Sequence, residues 1–191
     1  MRKLSIWASG SGSNAENIIR FFESSEKISV DHILCNKKDA GVFERAARLD
    51  IDAHYFSGSD FRESKAVLEF MQKRDIDYII LAGFLLKVSE EIIYHYPGRI
   101  INIHPALLPG YGGKGMYGKN VHSAVIGAGE KHSGISIHLV NEEYDRGTLL
   151  FQSICEIDKN DTPDSLAEKV HQLEYKHYPE VIQNYILSFE N

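Results

Sequence analysis

The chain has 191 residues, 43% of them hydrophobic and 25% charged, with a formal net charge of −6. That length suits one domain with a full hydrophobic core. No apolar run approaches the ~20 residues of a membrane span, and an acidic balance without a long basic run argues against a nucleic-acid groove.

The chain opens on MRKLSIWASGSGSN, a short apolar run that turns glycine-rich. A signal peptide does not have that pattern. Cys35 and Cys155, both in apolar runs, are therefore expected to be reduced core thiols of a cytoplasmic protein.

In chain order, strands are expected at 4–8, 30–35, 52–56, 78–82 and 100–104. Helices are expected between them at 14–23, 41–49, 61–74 and 90–95. Such alternation predicts an α/β, Rossmann-like fold with a mostly parallel central sheet of about seven strands and helices on both faces. The run YIILAG, apolar throughout, fits a strand covered on both sides. Strands at 134–140 and 149–157 follow each other with no helix between, which predicts an antiparallel extension near the C-terminal part. A long helix is expected from Thr162 to about Ile186, with Asp161 or Thr162 as N-cap and Pro163 in its first turn.

Two strand ends carry chemistry. After the first strand, SGSGSNA places Gly10, Gly12 and Ala15 in a G-x-G-x-x-A pattern that opens a helix. Glycines let the backbone approach an anion, and the helix N-terminus offers free N–H groups and a positive dipole end. Ser13 and Asn14 add side-chain hydrogen bonds and can cap the helix. The second strand ends in CNKKD, so Asp39 comes late for a ribose-binding acid and a monophosphate ligand fits better than a dinucleotide. A flexible Ser/Gly turn without a ligand is the competing reading.

The other strand end is RIINIHPALLP. Period-two alternation puts Asn102 and His104 on one face, and Pro105 ends the strand. In an open parallel sheet, ligands bind outside the carboxyl ends of the strands, so both loops are expected on that edge. An imidazole can carry a proton near neutral pH. An Asn amide can donate to a developing oxyanion. Neither is a strong nucleophile, and no G-x-S-x-G elbow is present, so direct transfer between two bound substrates is expected rather than a covalent acyl-enzyme. Asp145, in the loop YDRG, could orient His104 and favour its protonated form. The residues alone equally allow hydrogen-bonded fillers at a strand end and an ordinary turn aspartate.

Together, SGSGSN, CNKKDAGVFERA, DYIILAGFLLKVS, GRIINIHPALLP and HSGISIHLVNEEYDRGTLL make the chain resemble the phosphoribosylglycinamide formyltransferases, folate-dependent enzymes of purine synthesis. The resemblance runs in the family's order over nearly the whole chain. It implies a single formyltransferase domain over 1–191, with 1–100 the nucleotide-binding half and 101–191 the catalytic and folate-side half. It implies formyl transfer from the co-substrate 10-formyltetrahydrofolate to the amine of 5-phosphoribosylglycinamide. Asn102 would steady the tetrahedral oxyanion, His104 would be general acid and proton carrier, and Asp145 would raise the His104 pKa. Gly12, Ser13 and Asn14 would hold the phosphate, and Glu174 the ribose. Arg62, Leu85, Leu86, Lys87, Val88 and Asn102 would contact the folate, the apolar residues forming a slot for a flat ring. The partners implied are these two small molecules, with no nucleic acid, no membrane, no metal, and a monomer or homodimer.

The glycine-rich stretch 110–125 is expected to be a mobile loop. Lys114 and Lys119 there could reach a phosphate or be solvated charges. His122 could contact substrate or pack at a helix start, and His138 is read as a core-edge histidine. Two readings compete with the transferase. A formyltetrahydrofolate hydrolase would use water as acceptor, and a non-catalytic nucleotide-binding module would leave Asn102, His104 and Asp145 without a joint purpose.

Overall fold

A computed structural model describes residues 1–189. Its elements, in order, are β1 (Arg2–Ala8), α1 (Ser13–Phe22), β2 (Ile28–Cys35), α2 (Val42–Arg48), β3 (Asp52–Tyr55), α3 (Gly58–Glu63) and α4 (Lys65–Gln72). They continue with β4 (Tyr78–Leu81), α5 (Glu90–His95), β5 (Ile100–His104), α6 (Lys119–Gly127), β6 (His132–Leu139), β7 (Leu149–Glu156) and α7 (Pro163–Leu187). The seven strands form one sheet in the order β3-β2-β1-β4-β5-β6-β7. This is the mostly parallel α/β sheet with an antiparallel C-terminal extension that the alternation of elements predicts. By contact density the described residues divide into two compact units, 1–101 and 102 onward.

In the first unit β1 pairs in parallel with both β2 and β4, and β2 with β3. A strand flanked on both edges and covered on both faces must be apolar; Leu4, Ile6, Trp7 and Ala8 are all fully buried. Helix α1 buries Ala15, Ile18, Ile19 and Phe22, the i, i+3, i+4, i+7 stripe of an amphipathic helix. Trp7, Phe61 and Phe84 meet edge-on or tilted, with centroids 4.8–5.3 Å apart.

A buried polar cluster interrupts this core. His32, on β2, has Nδ1 2.8 Å from Asp31 Oδ2 and Nε2 2.8 Å from Ser5 Oγ. The Trp7 indole N–H also donates to that hydroxyl at 2.9 Å. A serine, a histidine and an aspartate thus stand in hydrogen-bonded sequence, but Ser5 and His32 are wholly buried. No substrate reaches the hydroxyl, and the arrangement satisfies buried polar groups.

In the second unit β6 and β7 are antiparallel, with a register irregularity between Ile137 and His138. Helix α7 starts at Pro163 behind the Thr162 cap, whose hydroxyl accepts from Ser165 N–H. Of its buried residues, all but Pro179 recur every fourth position: Leu166, Val170, Glu174, Tyr178, Ile182 and Ile186. That stripe holds one carboxylate, Glu174.

The structure corrects three local expectations. The helix expected over 61–74 is two helices, broken at Ser64, whose φ of 66° lies in the left-handed region. A capping box between Ser57 and Asp60 starts α3 three residues earlier than the apolar pattern suggests, and the Ser64 hydroxyl bonds that of Ser89. The stretch 110–125 is not all loop, because α6 begins at Lys119 and buries Val121, His122 and Val125. Ser13 and Asn14 do not cap α1; Gly12 is the N-cap and makes no side-chain cap bond.

Candidate active site

The second unit gathers Asn102, His104 and Asp145. Asn102 and His104 leave the same face of β5. Asp145 sits in the β6–β7 loop at φ 53°, a left-handed conformation that aspartate tolerates better than most residues. Gly147 closes the same turn, where a Cβ would overlap the Leu139 carbonyl.

The carboxylate lies between two imidazoles. Asp145 Oδ2 is 3.7 Å from His104 Nδ1, and Oδ1 is 3.6 Å from His138 Nε2. The Gly113 N–H donates to Oδ2 at 2.8 Å. His104 Nε2 is 2.8 Å from the Tyr111 carbonyl oxygen. That oxygen can only accept, so Nε2 carries a proton and Nδ1, facing Asp145, is the nitrogen free to gain or lose one. Asn102 Nδ2 is 3.0 Å from His138 Nε2.

The electrostatics depart from one expectation. Burial lowers the His104 pKa; Asp145 and the Tyr111 carbonyl push it up, but burial prevails. Asp145 therefore limits a depression rather than producing a net rise. For Asp145, burial pushes the pKa up, and the His138 ring in its charged form, the Gly113 N–H and charged His104 more than offset it, so the carboxyl lies below its ordinary value. The pair rests as a carboxylate beside an imidazole biased toward its neutral form.

His122 lies near this cluster in sequence and on α6 in structure. It is 2% exposed, and its Nδ1 has no hydrogen-bond partner among the described residues. Burial, then His171 and His104, lowers its pKa. Glu174 is 5% exposed, so it does not stand on a solvated helix face, and its Oε2 is 3.9 Å from His171 Nε2. Lys119 is exposed and pairs with Asp164 at 2.8 Å.

The first unit holds the glycine turn and the remaining expected contacts. Gly12 has φ 78°, and a Cβ there would stand 2.5 Å from Val42 Cγ2, so only glycine fits. Strapping bonds fix the turn: Val42 N–H to the Gly10 carbonyl at 3.2 Å and Arg45 Nε to the Ser11 carbonyl at 2.8 Å. The first N–H groups of α1 have no intrahelical acceptor and favour an anion. Glu16, in the first turn, would oppose one, but Arg20, Arg45 and Arg48 all pair with it. Arg20 first and then Arg45 hold its carboxyl below the ordinary range. Three guanidinium groups on one carboxylate leave the surroundings positive.

The segment after β4 is tied to this turn by Ser9, whose hydroxyl accepts the Leu85 N–H at 2.9 Å. Leu85 is 38% exposed and Val88 is 5% exposed; Leu86 is half-buried and Lys87 exposed. An added Cβ on Gly58 would lie 3.7 Å from both Arg62 Nη1 and Leu86 Cδ1, so the exposed Arg62 and Leu86 flank one glycine.

Sequence reasoning missed the parts played by Tyr111, Gly113 and His138. Tyr111 and Gly113 act through backbone atoms, which residue type does not announce. The signal for His138 was its strand position beside the NIHP strand end. Among the described residues, no group of three or more His, Cys, Asp or Glu is placed to hold a metal ion, and no helix is long and apolar enough to cross a membrane.

The formyl transferase family model matches residues 2–182, so the chain belongs to that family. A chloroplastic phosphoribosylglycinamide formyltransferase of Arabidopsis thaliana is 41% identical over 187 residues, covering 95% of this chain, which spans 64% of that longer protein. The phosphoribosylglycinamide formyltransferase of Bacillus subtilis is 35% identical, with 96% of this chain and 94% of the relative covered. The crystal structure of the Bacillus halodurans phosphoribosylglycinamide formyltransferase superposes with a TM-score of 0.89 at 30% identity, covering 100% and 97% of the two chains. Within the family the chain groups with the phosphoribosylglycinamide formyltransferases.

Proposed function

We propose that this chain transfers the formyl group of 10-formyltetrahydrofolate to the amine of 5-phosphoribosylglycinamide, a step of purine biosynthesis. The observation that supports it best is the Asn102–His104–Asp145 cluster, which brings an oxyanion donor and a proton carrier together.

The nucleotide amine attacks the formyl carbon directly, forming the new C–N bond. The formyl oxygen becomes an oxyanion, which accepts from an N–H of Asn102. The amine nitrogen, now positive, gives a proton to His104 Nδ1, and the Asp145 carboxylate steadies the imidazolium. His104 delivers that proton to N10 of the folate, the C–N10 bond breaks, and the oxyanion reforms the carbonyl. The products are formylglycinamide ribonucleotide and tetrahydrofolate. The turn at Gly12, Ser13 and Asn14 holds the phosphate, Glu174 the ribose, and Arg62 with Leu85, Leu86, Lys87 and Val88 the folate. No metal takes part. The protein works in the cytoplasm as a monomer or homodimer, with neither nucleic acid nor membrane as partner.

The test is spectrophotometric release of the folate product with and without the nucleotide. Nucleotide-dependent release is expected. Equal release without it would make the protein a hydrolase and overturn the proposal.

A further inference from the structure

His138 has no role in the transfer as proposed, yet it is 2% exposed and touches both Asn102 and Asp145. Its hydrogen bonds determine its tautomer. Nδ1 lies 2.8 Å from the Leu139 carbonyl oxygen, which can only accept, so Nδ1 carries the proton. In the neutral ring Nε2 is then a bare lone pair. That lone pair faces the Asn102 amide at 3.0 Å, which must present N–H there and not C=O, since an oxygen would set two lone pairs against each other.

A free Asn amide is nearly symmetric in shape and turns over at little cost. If it turned, Asn102 would offer an oxygen instead of an N–H to a developing oxyanion, and the stabilisation would become repulsion. One amide hydrogen is engaged by His138, and the second, fixed in the same plane, remains for a ligand. We propose that His138 is a positioning residue that sets the orientation of the Asn102 amide, so that its second N–H is the oxyanion donor. His138 exchanges no proton with substrate and acts only through Asn102. This rests on the transferase reading for its effect on rate, but the His138–Asn102 bond can be tested without it.

Three variants separate this role from a structural one. His138→Leu keeps the bulk and removes the acceptor, whereas His138→Gln can place an amide oxygen near the Nε2 position. H138L is expected to lower kcat about a hundredfold, the low end of the range for losing one oxyanion donor, with KM for both substrates changed less than about twofold. H138Q is expected to recover most of that loss. In an Asn102→Ala background H138L should cost almost nothing further, because the residue through which it acts is gone. An equal loss in both backgrounds, or a normal rate for H138L, would overturn the proposal. The bond itself is read by NMR: the Asn102 side-chain amide protons are expected to be shifted and protected from exchange in wild type and in H138Q, and to lose both features in H138L. Unchanged resonances in H138L would overturn it even where the wild type transfers no formyl group, an outcome that on its own counts against the transferase reading alone.

Discussion

His104 keeps Nε2 on the Tyr111 carbonyl and turns Nδ1 to Asp145, so in the proposed transfer a single ring nitrogen carries the proton traffic. His104→Ala and Asp145→Ala should therefore lower turnover roughly 10²–10⁴-fold, while equilibrium binding shows nucleotide affinity retained. The pH dependence has a definite sign. Proton uptake from the amine needs neutral His104, and burial lowers its pKa. The acid limb of kcat should accordingly fall below the ~6.5 of a free imidazole. Since Asp145 pushes that pKa up, Asp145→Asn should move the limb to still lower pH as well as slow the reaction; a limb above 6.5 in the wild type would contradict the assignment. Gly12 fails differently. Gly12→Ala meets Val42 and a positive φ, so KM for the nucleotide should rise at least about tenfold with KM for the folate little changed. The shared face of Asn102 and His104 was legible because period-two spacing carries it, whereas Asp145 was a loop candidate that spacing alone could not tell from a turn aspartate. The partners that tune them were not, because Tyr111 and Gly113 contribute only backbone atoms.

Elements explain why the fold was more legible than its joints. Strand β1 and helix α1 each carry one strong periodicity, and those signals agree with the packing. The break at Ser64 was hidden because Phe61 and Leu68 keep an i, i+7 spacing across the polar run Arg62–Lys65, and only the Ser57–Asp60 capping box marks the true start of α3. Helix α6 was hidden by the glycines before it, although Val121 and Val125 already had helical spacing. The buried His32 between β1 and β2 gives an element-scale prediction. Burial, against the pull of Asp31, lowers its pKa to about 4, below the ~6.5 of the unfolded chain. The folded state thus prefers the neutral ring. That stability is complete above pH ~6.5 and is lost as pH falls toward 4, by up to about 3 kcal/mol. Denaturant melts at pH 7 and 5 should show the loss, and His32→Gln should flatten it. An unchanged midpoint in the wild type would refute the buried, neutral His32.

For the whole molecule, length and patterning indicated an α/β chain, and the order of motifs carried the family. A net charge of −6 did not exclude an anionic substrate, because three arginines around Glu16 make one turn locally positive. Ligand linkage adds a prediction at this scale. A nucleotide that binds the folded chain alone should stabilise it by about 2.7 kcal/mol at a hundred times its Kd, visible as a raised melting temperature, whereas the amine without its phosphoribosyl group should raise it far less. The most direct test of the central claim follows the carbon. With 13C-labelled formyl on the folate and equimolar phosphoribosylglycinamide, the account predicts that the label appears in the nucleotide's formamide, one per tetrahydrofolate released, and that His104→Ala slows this roughly 10²–10⁴-fold. Label collecting as free formate, with the nucleotide unchanged, would contradict it.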